Sequence, residues 1–358
     1  MQYFKKMESK VKNKERTFVK LYNSFKRFGL DWFIIALITM IVLAYFFPKI
    51  GSKDSAIPLS QIANYGVSVI FFFYGLRLSW KKMVEGISNW RLHLVVQLST
   101  FLLFPIIVLF AKFLFGNLAS EQIWIGIFFL ACLPSTVSSS VVMVSIAGGN
   151  IPTAIFNASI STLIGVLITP LWMGLFLKAS SIDFPFGTVM LKLVVMVIVP
   201  VMLGMMLHKF WGDFAERNKK KLRYFDQTII LLIVFTAFCE SFSKKIFEGY
   251  SYLFLFGLGI AMIALFFSVY GIMILLSRIL KFKREDKITA LFCGSKKSLV
   301  HGTVMSKVLF TGNPLIGIIL LPIMIYHALQ LVMVSIIAQG MARKNKETIK
   351  IDGHPKSN

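Results

Sequence analysis

Uncharged apolar stretches of about 20 residues recur along the whole sequence, and they constrain the fold more than any other feature. We expect membrane-spanning helices at about 30–48, 58–76, 92–115, 122–147, 151–177, 186–208, 224–243, 251–277, 288–311 and 313–341. These apolar runs are continuous rather than alternating, which excludes a transmembrane β-barrel. The sequence therefore predicts an all-α polytopic membrane protein with ten transmembrane helices.

The net charge of +23 could suggest a nucleic-acid partner, but the distribution of the basic residues indicates membrane topology instead. Most of the 39 Lys and Arg residues fall in the two tails and in the loops on one side of the predicted spans. Such loops face the cytoplasm in most membrane proteins. We therefore expect both termini to be cytoplasmic, the lipid bilayer to be the partner, and the location to be the plasma (inner) membrane.

The ten predicted spans divide into two sets of five, and an odd number per set inserts the sets in opposite orientations. We expect two inverted five-helix repeats, residues 29–179 and 180–342, flanked by basic cytoplasmic tails at 1–28 and 343–358. The fourth span of each repeat is interrupted, at Pro134 and at Gly294, and a cluster of polar residues follows each interruption. Irregular backbone at membrane depth survives only inside protein or beside water. The fourth and ninth spans are therefore predicted to be discontinuous helices that meet at one site.

Lys296 and Lys297 lie within the interruption of the ninth span, where a charged side chain costs roughly 2.5–3.5 kcal/mol. None of the predicted spans carries an Asp or Glu at mid-depth, so the sequence offers no carboxylate to neutralise the pair. Three interpretations stay open. The lysines bind only carbonyl oxygens, one lysine is neutral, or their partner is an anionic substrate that binds and leaves.

Hydroxyl and amide side chains surround both predicted interruptions, and they could bind such an anion. A Ser/Thr run follows Pro134, amides lie in the third and fifth spans, and His301 lies about one turn beyond Lys297. Each polar side chain could instead serve only helix packing. The predicted substrate-binding residues are Gln97, Ser135, Thr136, Ser138, Ser139, Ser140, Asn157, Ser295, Lys296, Lys297, Ser298 and His301.

Motifs of enzymes and of metal sites are missing from the sequence. HExxH, GxSxG, a P-loop and closely spaced Cys/His ligands do not occur. Cys132, Cys239 and Cys293 lie in or beside predicted spans, so we expect no disulfide. The sequence therefore predicts a protein that is not an enzyme and that needs no cofactor.

Six stretches spread over the predicted spans carry a pattern that is specific when taken together: Phe72–Leu78, Pro134–Asn150, Ala154–Asn157, Ile168–Pro170, Phe292–Leu299 and Pro322–His327. They resemble the bile acid:sodium symporter family, and more closely its branch typified by member seven of solute carrier family 10. The resemblance implies a core domain of spans 3–5 and 8–10, in which spans 4 and 9 cross, and a panel domain of spans 1, 2, 6 and 7. It also implies alternating access, with the core moving against the panel.

The resemblance implies where sodium would bind, and this chain differs there. In sodium-coupled members an acidic residue and a Gln at the start of the ninth-span crossover hold the cations, with side-chain oxygens from spans 4 and 5. Aligned on Gly294, the acidic position falls on Phe292 and the Gln on Lys296. In the member-seven branch a basic crossover is itself the pattern. Of the other oxygen ligands Ser140 is retained, whereas three positions hold Val141, Ala154 and Ala158.

We therefore expect a secondary transporter of a small organic anion, in which the crossover lysines replace sodium. Transport would then run as uniport, exchange or proton coupling. Two alternatives stay open: a membrane regulatory protein that affects calcium homeostasis without transport, and a sodium-coupled organic anion symporter. The sequence leaves the substrate and the oligomeric state undetermined.

Overall fold

A computed structural model describes residues 32–52, 55, 57–77, 89–136, 138–179, 186–245, 248, 250–311 and 313–352. Within these residues the chain forms helices α1 (Trp32–Phe46), α2 (Pro48–Gly51), α3 (Leu59–Leu76), α4 (Trp90–Leu98), α5 (Phe104–Phe115), α6 (Glu121–Cys132), α7 (Ser138–Ala147), α8 (Ile151–Ala179), α9 (Phe186–Leu193), α10 (Val199–Arg217), α11 (Lys219–Ser243), α12 (Tyr252–Ile279), α13 (Arg284–Gly294), α14 (Leu299–Leu309) and α15 (Ile316–Asp352). The predicted tail at 1–28 lies outside the described residues, and α15 extends into the segment assigned to the second tail.

Two π-helical stretches connect pairs of these helices. Ser99–Leu103 joins α4 to α5, and Val194–Ile198 joins α9 to α10. The second residue after each stretch is a proline, Pro105 or Pro200. A proline has no N–H and cannot close the α-helical hydrogen bond to the carbonyl four residues earlier. The missing hydrogen bond at each proline therefore explains why the helix widens to π-helical turns just before it.

The predicted class, an all-helical protein of the membrane, is confirmed. Seven helical segments in the described part of the chain are long and apolar enough to cross a bilayer. Three of the ten predicted spans are not among them. In the first span the described helix covers the 15 residues Trp32–Phe46. The regions 122–147 and 288–311 are each divided into two helices of 10 to 12 residues. The seven are Leu59–Leu76, Trp90–Leu118, Ile151–Lys178, Val194–Arg217, Lys219–Ser243, Tyr252–Ile279 and Ile316–Arg343.

The described helices pack in two groups. In the first, which we call the panel group (α1–α3 and α9–α11), α3 packs along α10 and α11, and α1 packs on α11. Gly75 of α3 and Gly204 of α10 allow these two helices to pack closely. A Cβ on Gly75 would overlap the carbonyl of Val201, and a Cβ on Gly204 would overlap the carbonyl of Phe72. In the second, which we call the core group (α4–α8 and α12–α15), α15 packs on α6, α7 and α12. The groups meet where α11 contacts α14 and α15, and also where α9 contacts α8 and α14.

Candidate functional site

Two interruptions of the helical backbone lie against each other in the core group. The first separates α6 from α7 and the second separates α13 from α14. Pro134 accounts for the first, because a proline forces the preceding residue out of helical geometry, and Leu133 is extended with ψ 152°. The N–H of Ser298 donates to the carbonyl of Pro134 at 3.0 Å, so the two interruptions touch directly. We call residues 133–136 and 295–298 the crossover.

Hydroxyl groups bind the carbonyls at the C-terminal end of α13. Five consecutive carbonyls, Leu291 to Ser295, each accept a side-chain hydroxyl at 2.6–3.3 Å. Three predicted site residues therefore use their hydroxyl hydrogens on backbone oxygens. They stabilise the crossover rather than offering donors to a ligand. The donors, in the order of the carbonyls, are Ser295, Ser140, Ser135, Ser99 and Tyr326.

The ammonium group of Lys297 is fully buried in a cage of three backbone carbonyls. Its Nζ donates to the oxygens of Thr100, Ala131 and Leu133 at 2.6, 2.6 and 2.8 Å. It also lies 4.1 Å from the ring centroid of Phe104. An ammonium has three hydrogens, so all of them are used. We call these three oxygens and this ring the carbonyl cage.

One wall of the carbonyl cage is produced by Pro105. In the π-helical register Thr100 would accept a hydrogen bond from residue 105, and in the α-helical register Phe101 would do so. Because residue 105 is a proline, both carbonyls need other donors. Thr100 receives Lys297, and Phe101 receives the indole N–H of Trp172 at 2.8 Å.

The other wall is the C-terminal end of α6. Ser135, four residues after Ala131, donates its N–H to Ser161 Oγ at 3.0 Å, which leaves the Ala131 carbonyl available. Leu133 lies within the interruption. The C-terminal end of a helix favours a cation, whereas the N-terminal end of α14, where Lys297 originates, disfavours one. The side chain of Lys297 thus carries its charge to the end of opposite polarity.

Gln330 determines where the backbone of Lys297 lies. Its Oε1 accepts from the N–H of Lys297 at 3.0 Å, and its Nε2 donates to the carbonyl of Lys297 at 2.7 Å. The same amide contacts His327 Nδ1 at 3.0 Å. One side chain of α15 therefore satisfies both backbone groups of the residue whose side chain enters the cage.

Lys296 is also fully buried, but its ammonium has a much poorer set of partners. Its Nζ donates to Ser139 Oγ at 2.7 Å, and no other acceptor for it lies in the described part of the chain. Neither lysine forms an ion pair with a described residue. Two of the three ammonium hydrogens of Lys296 are therefore available to a ligand.

A short chain of hydroxyl groups continues from Lys296. Thr136 Oγ1 lies 2.9 Å from both Ser139 Oγ and Ser140 Oγ. Thr136 and Ser140 are buried, whereas Ser139 is half-buried. The side chain of Ser138 lies outside the described part. The predicted Ser/Thr run thus contributes one direct partner to Lys296 and two supporting hydroxyls.

Gln97 and Asn157 form a separate amide pair. Gln97 Nε2 donates to the carbonyl and the Oδ1 of Asn157 at 3.1 and 3.3 Å, and Asn157 Nδ2 donates to the Thr153 carbonyl at 3.1 Å. These acceptors fix the orientation of both amides. Gln97 Oε1 is buried and has no hydrogen-bond partner among the described residues. It is an acceptor that a ligand could use.

Ser298 and His301 lie at the start of α14. Ser298 Oγ accepts from the backbone N–H of His301 at 3.3 Å, and lies 2.8 Å from His301 Nδ1. The imidazole ring packs edge-on against Tyr74 of α3, with 5.4 Å between centroids. His301 therefore lies where the panel and core groups meet, and within the described residues its side chain does not hydrogen-bond either lysine.

The residues that organise the site without being among the predicted ones include Thr100, Phe104, Pro105 and Gln330. Thr100 contributes a backbone carbonyl, which every residue has, so its side chain gives no signal. Gln330 does give one, because an uncharged amide in the middle of an apolar span needs polar partners. Pro105 also gives one, since an intrahelical proline frees two carbonyls.

Comparison with known proteins is consistent with this architecture. The model of the SBF-like CPA transporter family matches residues 31–343. The chain belongs to this family. It is 38% identical over 321 residues to the uncharacterized protein PA2026 of Pseudomonas aeruginosa, covering 90% of this chain and 96% of the relative. It is 36% identical to the putative symporter YfeH of Escherichia coli, covering 89% and 95%. It is 31% identical to sodium/bile acid cotransporter 7-B of Xenopus laevis, covering 92% and 98%.

The family and the relatives confirm the resemblance to the bile acid:sodium symporter type. The protein is a multi-pass integral membrane transporter rather than an enzyme. It lies in a lipid bilayer and moves a substrate across it.

Proposed function

We propose that this transporter carries a small organic anion by alternating access and that sodium is not the coupling ion. The observation that carries the proposal is the Lys296 ammonium, which is fully buried and has one hydroxyl partner and no described carboxylate partner. A buried charge that remains unpaired is costly. A substrate anion would provide the missing charge and accept the two remaining hydrogens. Ser139 would position the ammonium, and Gln97 Oε1 would accept a hydrogen bond from any hydroxyl or amide group of the substrate.

We further propose the topology in which this mechanism would operate. The two interrupted segments would be the fourth and ninth of ten spans, related as inverted repeats and crossing at mid-depth. The panel and core groups would be the two bodies that move. Both termini would be cytoplasmic and the protein would lie in the plasma (inner) membrane, which the basic loops support.

Uptake into proteoliposomes tests the substrate and the coupling ion together. Purified protein is first screened by thermal shift against small carboxylates, sulfonates and organic phosphates, and a stabilising anion is then used for uptake. We expect uptake to be unchanged when choline replaces sodium and to be lost in Lys296→Met. Lys192→Met, which alters an exposed lysine of α9, is the matched control and should transport normally. Uptake that needs a sodium gradient and survives Lys296→Met contradicts the proposal.

A second candidate is favoured by the relatives, which include a putative symporter and sodium/bile acid cotransporters. In that case the protein would be a sodium-coupled organic anion symporter. Saturable stimulation of uptake by external sodium, with lithium or potassium ineffective, would favour this candidate over the first.

A further inference from the structure

The carbonyl cage around Lys297 has the composition of a cation site. It consists of three carbonyl oxygens, each 2.6–2.8 Å from Lys297 Nζ, and the face of an aromatic ring. Carbonyl oxygens of unwound backbone and of helix C-terminal ends are the groups that bind monovalent cations inside membrane transporters. The cage contains no carboxylate, whereas divalent cations are usually bound with carboxylate ligands. Its chemistry therefore suits a monovalent cation.

Three features outside Lys297 shape this cage. Pro105 removes the donor that Thr100 would have, Pro134 ends α6 beside Leu133, and Ser161 takes the N–H that Ala131 would receive. None of these residues depends on a lysine at position 297. The oxygens would therefore still converge if the side chain were shortened, and they would be left buried without donors.

We propose that the carbonyl cage is a monovalent-cation site that Lys297 fills with its own ammonium, and that a shorter side chain opens it to a free cation. The inference deepens the proposed function, in which lysines take the place of sodium, and it assigns that role to Lys297 rather than to Lys296. Lys297 acts as a resident cation that joins α6, α14 and the π-helical stretch. Lys296 is then the lysine that binds the substrate.

Cation-dependent stability tests the proposal without any transport measurement. The unfolding midpoint of purified full-length protein is measured in lithium, sodium, potassium, ammonium and choline chloride at constant ionic strength. We expect the wild type to have the same midpoint in all five salts. We expect Lys297→Ala to lose roughly 5 °C or more in choline. Sodium or ammonium should restore most of that loss in a saturable manner.

Lys297→Met is the matched control, because its unbranched side chain fills the path to the cage and carries no charge. We expect a similar loss in choline and no recovery in any salt. Equal responses of Lys297→Ala and Lys297→Met to the five salts would overturn the proposal. Failure to recover Lys297→Ala from membranes extracted in sodium or ammonium chloride would overturn it too, since a cation site should then be occupied. Either result leaves the proposed role of Lys296 to be judged by uptake alone.

Discussion

A buried ammonium is stabilised only as far as its three hydrogens find acceptors, and adjacent lysines differ completely in this respect. Lys297 donates to three carbonyls, whereas Lys296 donates to one hydroxyl. We expect Lys297→Met to lower the free energy of unfolding by about 3 kcal/mol or more, because three carbonyls lose their donor. We expect Lys296→Met to be neutral or stabilising, because an apolar side chain replaces a poorly compensated charge.

Thermal and denaturant unfolding of the two purified variants measures this difference. Both variants replace a fully buried lysine by methionine at neighbouring positions, so each serves as the control for the other. Equal losses would mean that Lys296 has structural partners comparable to those of Lys297, and would remove the basis for a ligand at Lys296.

Gln330 provides a second test at the level of single residues. Gln330→Met keeps the length of the side chain but removes the two hydrogen bonds that Gln330 makes to the N–H and the carbonyl of Lys297. A buried backbone group left without a partner costs about 1–3 kcal/mol, so a clear loss of stability is expected. Gln339→Met, on the same helix and half-buried, should cost less than about 1 kcal/mol. Similar unfolding midpoints for the two variants would contradict the role given to Gln330.

At the scale of elements, the two π-helical stretches followed by prolines form a natural comparison. Removing a proline from a helix interior ordinarily stabilises the helix. Pro200→Ala should follow this rule, because among the described residues no side chain donates to the carbonyls of Val195 and Met196. Pro105→Ala should instead destabilise the protein, because the new N–H competes with Lys297 and Trp172 for their carbonyls.

A double-mutant cycle makes the Pro105 prediction specific. The effect of Pro105→Ala on the unfolding free energy is measured with Trp172 present and with Trp172→Phe. We expect a coupling of about 0.5–3 kcal/mol, the range found for groups that share a partner. Additive effects of the two substitutions would indicate that Pro105 does not act by freeing the Phe101 carbonyl.

Local chemistry explains which of these elements the sequence could predict. Apolar runs predict the long spans, and the missing N–H of Pro134 predicts the interruption of the helix there. Both can be found without knowing the fold. The different surroundings of Lys296 and Lys297 could not be found in this way. They depend on Gln330, which lies 33 residues further along the chain, and on main-chain carbonyls that leave no mark in the sequence. For the same reason Ser135 and Ser140 looked like ligand donors, although their hydroxyls bind the carbonyls of α13.

At the scale of the whole molecule, contacts between the panel and core groups include a polar connection from α11 to the start of α15. Ser241 Oγ donates to the Pro314 carbonyl at 2.8 Å and accepts from the N–H of Gly317 at 3.2 Å. If transport requires the groups to separate here, a covalent bond between them should stop it. A Cβ on Gly317 would lie 3.0 Å from the Ser241 Cβ, slightly closer than the usual spacing in a disulfide.

We therefore expect the double variant Ser241→Cys and Gly317→Cys to lose uptake in proteoliposomes on oxidation and to regain it on reduction. The matched control lies inside the panel group. A Cβ on Gly51 would lie 3.0 Å from the Cβ of the native Cys239, so Gly51→Cys places a second cysteine pair at the same Cβ–Cβ distance without joining the groups. Its uptake should be insensitive to oxidation. Full oxidation of the Ser241–Gly317 pair with unchanged uptake would mean that the helices joined there move as one body, and that transport uses a motion elsewhere in the molecule.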